Sequence, residues 1–94
     1  MLQDKKDYKE CKLEIMPHIA KRAIERNFPI NKIRDMVFRG RWCPHILEER
    51  VTCIYKNGIK YWTIILVPWK CHIFIITVFE SNYNEIRMYK SLHE

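Results

Sequence analysis

Residues 46–80 read ILEERVTCIYKNGIKYWTIILVPWKCHIFIITVFE, and this stretch decides the fold class. Three runs within it, Ile46 to Lys56, Ile59 to Val67 and Cys71 to Glu80, are rich in Ile, Val, Thr, Tyr, Trp and Phe. Those residues suit a pleated, half-buried surface. Asn57-Gly58 separates the first two runs and is a strong hairpin signal, while Pro68 to Lys70 supplies a second turn. The expectation is an antiparallel meander of three strands, with Arg41 to Cys43 as a candidate fourth at the edge. With period-two alternation, Cys71, Ile73, Ile75, Thr77 and Phe79 share one face of the last strand, and His72, Phe74, Ile76, Val78 and Glu80 the other. Both faces are largely apolar, as in a central strand.

Upstream of residue 41 the pattern is helical. Tyr8, Cys11 and Ile15 recur at intervals of three and four among charges, which predicts an amphipathic helix over residues 1–16. Pro17 suits the first turn of a new helix, and Asn27 a stop. Pro29 holds Phe28 extended, and Asn31 is placed to cap a short helix carrying Ile33, Met36 and Val37 up to Gly40. Downstream, Ile86 with Tyr89 or Lys90 has helical spacing, so residues 81–94 read as a short helix or a tail. The fold class is therefore α+β: short N-terminal helices packed on a three- to four-stranded antiparallel meander. One domain spans 1–94, with a helix at 1–16, two short helices at 17–40, the sheet at 41–80 and the C-terminal segment. A chain of 94 residues with 48% hydrophobic content can bury one core.

Seventeen Lys and Arg against eleven Asp and Glu give a net charge of +6, which favours an anionic partner, nucleic acid foremost. The start of the chain is too charged for a signal peptide, and the apolar run Tyr61 to Trp69 is about half the ~20 residues of a membrane span. A cytoplasmic protein without membrane association is expected. Cysteines 11, 43, 53 and 71 contain no CxxC pair, so reduced thiols are the default, with a disulfide left open for a hyperthermophilic source.

His18, Arg22 and Arg26 are four apart and fall on one helical stripe, opposite the apolar Ile19, Ala20, Ala23 and Ile24. An imidazole held between cations should be pushed toward its neutral, proton-accepting form, and guanidinium groups grip phosphate with two parallel hydrogen bonds. Those are parts for cleaving RNA without a metal. Lys21 lies beside the stripe as a further nucleic-acid contact, and Glu48 or Glu49 could orient one of its arginines. Thr77 places a hydroxyl on the central strand. Arg39, Arg41 and Trp42 make a basic, aromatic corner, and Tyr55 and Tyr61 flank the hairpin turn; all five suit nucleic-acid contacts. Cys43 with His45 and Cys71 with His72 lack the gap that closes two side chains on zinc, and two glycines are too few for a phosphate-cradling loop. Neither a metal nor a cofactor is expected.

The run from His18 through Arg22 and Arg26 to Phe28, then Ile30, Ile33, Gly40, a hairpin and Ile75-Ile-Thr77-Val-Phe79-Glu80, resembles a widespread family of small bacterial and archaeal domains of unknown function. Its members read roughly H-A-x-x-R-M-x-x-R-G-I near the start and I-I-T-V-Y near the end. The likeness covers about residues 17 to 80, with Asn27 in place of the usual glycine and Ala23 in place of methionine. That family looks similar to RelE and BrnT toxins and to the ribonuclease domains of colicins and contact-dependent toxins, in which helices pack on a four-stranded antiparallel sheet. The resemblance implies metal-independent RNA cleavage, with His18 as general base or acid, Arg22 and Arg26 as phosphate clamps and Thr77 as a hydrogen-bonding partner. An antitoxin-like protein partner and a homodimer come with that reading. The alternative is a non-catalytic accessory protein of viral or mobile-element origin, binding nucleic acid or protein through the same basic helix.

Overall fold

The sheet is the frame on which every other element sits. In the computed structural model, which describes residues 5–91, it has five strands: β1 (Lys12–Ile15), β2 (Arg41–Pro44), β3 (Val51–Asn57), β4 (Lys60–Trp69) and β5 (His72–Glu80). Their spatial order is β1-β5-β4-β3-β2. β2 to β5 form the expected antiparallel meander, with β2 as the fourth strand. A fifth, β1, adds to it in parallel, pairing Lys12 with His72 through Ile15 with Ile75. The sheet is thus mixed, a correction to the purely antiparallel expectation.

β1 takes the place of the last part of the predicted N-terminal helix. Residues 1–4 of that helix lie outside the described residues; beyond them, Lys5–Tyr8 form a single 3-10 turn and the chain extends from Lys12. The three- and four-residue spacing of Tyr8, Cys11 and Ile15 mimics a helix, but Lys12-Leu-Glu-Ile alternates with period two, and Leu13 and Ile15 pack on the core. A disulfide between Cys11 and Cys71, whose Cα atoms are 4.7 Å apart, anchors the strand. The two cysteines directly precede the paired residues Lys12 and His72, so strand pairing itself brings them together. This corrects the expectation of four reduced thiols; Cys43 and Cys53 are free and buried.

Both hairpin turns are displaced by one or two residues from their sequence signals. Asn57 pairs with Lys60, so the tight turn is Gly58-Ile59, with Gly58 at φ +65° in the region where glycine meets no Cβ penalty. Lys70 and Cys71 form the next turn with φ of 47° and 59°. Pro68 is tolerated within β4 because β3 begins at Val51, opposite Leu66, so that beyond it β4 has one neighbouring strand among the described residues.

Helices α1 (Pro17–Glu25) and α2 (Ile33–Arg39) cover one face of the sheet. Pro17 begins α1 as expected. Its end is a Schellman turn at Asn27, φ 57°, in which the Phe28 amide donates to the Ala23 carbonyl (2.8 Å) and the Asn27 amide to that of Ile24 (3.1 Å). Phe28 then meets Trp62 edge-on at 5.2 Å. Asn31 does not cap α2; it lies within a 3-10 turn, Ile30–Lys32, that leads into it. The core under these helices joins Ile19, Ala23, Met36 and Val37 to Trp62, Ile64, Leu66, Ile73, Ile75 and Val78. Each large apolar side chain buried there contributes roughly 1.5–3 kcal/mol.

The C-terminal segment is helical, α3 (Tyr83–Ser91), and lies on the opposite face. Asn82 opens it with a capping box: its side chain accepts from the Asn84 and Glu85 amides, and Glu85 accepts from the Asn82 amide at 2.9 Å. No helix among the described residues is long and apolar enough to cross a membrane.

Candidate nucleic-acid interface

On α1, burial of Ile19 and Ala23 turns the His18, Lys21 and Arg22 side chains to solvent. None of the three has a side-chain hydrogen bond or ion pair among the described residues. Glu48 and Glu49 are exposed in the loop after β2, with no ion pair to either arginine. Arg26 departs from the stripe. Its Nη1 donates to the Val78 carbonyl at 2.7 Å. The reason lies in the sheet: β1 stops opposite Ile75, so the rest of that edge of β5 has no neighbouring strand among the described residues, and Arg26 supplies a donor to it. Arg26 is therefore a tie between α1 and the sheet, a role distinct from a clamp held ready for phosphate.

Thr77 lies on the other face. The pairing of β4 with β5 shifts between Ile65 and Leu66: Ile65 faces Thr77, but Leu66 faces Ile75, so Ile76 is an extra residue. Before this bulge Ile73 and Ile75 point to the α1 side; after it Val78 does, and Thr77 and Phe79 point to the α3 side. Regular alternation, which put Ile73, Ile75, Thr77 and Phe79 together, fails at that one residue. Thr77 instead forms a cross-strand row with Ile65 and Thr52, beneath α3. The structure does not gather His18, Arg22, Arg26 and Thr77 into one site.

The basic, aromatic residues divide three ways. Trp42 is core: it is 7% exposed, and its indole N–H donates to the Val37 carbonyl at 2.8 Å. Arg39 pairs along α2 with Asp35 at 3.1 Å on the exposed surface. Tyr55 packs against the core and lines an open groove with Lys32, Met36 and Phe38. In that groove Arg34 is committed, donating to the carbonyls of Lys9 (2.6 Å) and Cys11 (3.0 Å) and lying over Phe38.

Arg41 and Tyr61, by contrast, meet on the α3 face. The Arg41 guanidinium lies 4.7 Å from the centre of the Tyr89 ring, and Tyr89 contacts Tyr61 edge-on at 5.4 Å. Lys56, directly across the hairpin from Tyr61, holds its ammonium 5.8 Å from that ring. Two cations and two half-buried tyrosines thus form one continuous surface. Sequence reasoning missed Lys56 and Tyr89. Read from Asn57-Gly58 as the turn, the hairpin would set Lys56 opposite Ile59; only the shifted turn at Gly58-Ile59 makes it the partner of Tyr61, and the helical spacing of the C-terminal segment marked Tyr89 without saying which face it covers.

The free thiols are chemically quiet. Burial pushes the Cys53 thiol up to about 12, and its Sγ donates to the Met36 and Val37 carbonyls. Burial also raises Cys43, opposed by nearby Arg41. Cys71 is held in the disulfide, and His72 bonds to Glu14 through Nδ1 at 2.8 Å, so this pair offers no thiolate. No protein-family model matches the chain, and neither a curated protein nor a solved structure is detectably similar to it.

Proposed function

We propose that the chain is an RNA-binding domain that acts in the cytoplasm and engages single-stranded RNA on the α3 face, through Arg41, Lys56, Tyr61 and Tyr89. The observation that carries this reading is the joined cation and tyrosine surface, where Arg41 lies over Tyr89 and Tyr89 touches Tyr61. Cations track the phosphates and tyrosine faces accept unstacked bases, an arrangement tolerant of sequence. The uncommitted cations Lys21 and Arg22, with His18, offer a second place for backbone contacts on α1.

Binding without cleavage is the form that the geometry favours. Cleavage by His18, Arg22, Arg26 and Thr77 requires all four at one phosphate, whereas Arg26 is spent on Val78 and Thr77 opens on the far face. Kinship with the RelE-like ribonuclease toxins remains part of the proposal, with the order of helices followed by a meander in its favour. The parallel fifth strand departs from their four-stranded antiparallel sheet. An antitoxin-like partner and a homodimer belong to the same reading. The disulfide fits a cytoplasmic site for a hyperthermophilic source.

The test is a titration of labelled single-stranded and duplex RNA, followed by incubation of a panel of RNAs in EDTA. Single strands should bind more tightly and remain intact, and Tyr61→Ala should weaken binding by roughly 1–3 kcal/mol, the value of one stacked base. Equal affinity of Tyr61→Ala and the parent protein removes the proposed surface. Cleavage lost in His18→Ala restores the catalytic reading.

A further inference from the structure

Beside α3, on the same face of the sheet, a cleft of about 380 Å³ lies between the loop after β2, the floor of the sheet and one side of the helix. It falls within the roughly 300–1,000 Å³ range of small-molecule sites. Its polar lining is His45, Arg50, Thr52, Thr77 and Glu85; its apolar lining includes Ile65, Phe79 and Met88. We propose that this cleft binds one nucleoside monophosphate unit, its phosphate on Arg50 and His45 and its base against Phe79, Ile65 and Met88.

Each part of that ligand has a counterpart. The Arg50 side chain is half-buried and has no hydrogen bond or ion pair among the described residues, which leaves its fork of donors for a phosphate. His45 accepts the Leu47 amide at Nδ1 (3.0 Å), so its Nε2 carries a proton and donates. Thr52 and Thr77 sit on either side of Ile65 in one cross-strand row, placing two hydroxyls on the floor two strands apart. Glu85 opposes an anion, and this selects against phosphate alone. One of its oxygens is fixed on the Asn82 amide in the capping box, and the other is left to accept from a base N–H or a ribose hydroxyl. The larger groove near Tyr55 lacks this combination, because its Arg34 is already bonded to two backbone carbonyls. The α3-side bulge is what builds the site: without the extra residue Ile76, Thr77 would point into the core.

A free mononucleotide and the phosphorylated end of an RNA strand present the same group. The experiment titrates the full chain, isotopically labelled for NMR, with adenosine 5′-monophosphate, adenosine and inorganic phosphate, then with short RNAs bearing a 5′-phosphate or a 5′-hydroxyl. The monophosphate should saturate with shifts at Thr52, Thr77, Phe79 and Met88, and bind at least about tenfold more tightly than adenosine or phosphate. Arg50→Gln should weaken it about tenfold or more, Thr77→Val about threefold, and Lys32→Gln on the other face should change nothing. If the 5′-phosphorylated RNA binds more tightly than the free monophosphate, the strand end is the natural source; if not, the free nucleotide is. Phosphate binding as tightly as the monophosphate, Arg50→Gln binding unchanged, or no saturation by about 10 mM would each overturn the proposal. The RNA surface around Tyr61 is tested by different variants, so either idea can fail alone.

Discussion

Breaking the Cys11–Cys71 bond should be among the most costly changes available to this chain. The bond closes a loop across a sequence separation of 60 residues, and chain entropy puts the stabilisation from such a closure at about 4 kcal/mol. Small domains have a total stability of roughly 5–15 kcal/mol, so the loss is a large fraction of it. The structure adds a local effect: β1 pairs with the sheet along only four residues and sits at its edge, so the disulfide is its main anchor. We expect urea unfolding with and without dithiothreitol, and in Cys11→Ala with Cys71→Ala, to show a matching loss of about 3–5 kcal/mol. The m-value should rise, because the uncrosslinked denatured chain exposes more surface. Amides in Leu13 and Ile15 should lose exchange protection before those of β4. Denatured, unreduced protein should titrate two thiols, those of Cys43 and Cys53. Four titratable thiols, or equal stability with and without reductant, would mean that no Cys11–Cys71 bond stabilises the fold.

Gly40→Ala should lose about 1–3 kcal/mol by overpacking, since a Cβ there would lie 2.6 Å from the Cys53 sulfur and 2.7 Å from the Met36 carbonyl oxygen; an unchanged urea midpoint contradicts this. Trp42→Phe removes the indole donor to the Val37 carbonyl, which keeps the Cys53 thiol, and should cost about 0.5–1.5 kcal/mol of stability while RNA affinity stays the same. Cys53 is raised in the folded state from its ordinary 9.0 to about 12, so its contribution is complete below pH 9. As pH rises toward 12 the unfolded chain sheds that proton and the folded one keeps it, and stability should fall by up to about 1.4 kcal/mol per pH unit. Cys53→Ala should flatten that part of the alkaline unfolding curve, and an identical slope in the variant counts against it.

The meander was legible because β3, β4 and β5 carry dense β-branched and aromatic runs, and Pro17 and Gly40 marked helix boundaries by backbone rules that act locally. β1 was not legible. Four residues of alternation are a weak signal beside the helix-like spacing of Tyr8, Cys11 and Ile15, and the deciding interaction, pairing with His72 to Ile75, is 60 residues away. For the site, the stripe of His18 and Arg22 could be read from periodicity, but Arg26 could not be assigned without knowing that β1 ends early. Thr77 was misplaced for a sharper reason: one extra residue in β5 inverts every side chain after it, and no sequence feature at Ile76 announces the bulge. Trp42 illustrates the general limit. Its basic neighbours suggested an exposed stacking face, while its position opposite Cys53 in the register sends it into the core.

On the proposed reading, RNA lies on the surface built by Arg41, Lys56, Tyr61 and Tyr89. The most direct measurement is the anisotropy of a labelled single-stranded RNA as salt is varied, for the parent protein and for Arg41→Gln. The parent affinity should fall steeply as salt rises, and Arg41→Gln should bind more weakly with a logarithmic slope shallower by about 0.7, the loss of one phosphate contact on a single strand. A salt-independent affinity, or identical slopes for the two proteins, would mean that Arg41 makes no phosphate contact and that RNA does not lie on this surface.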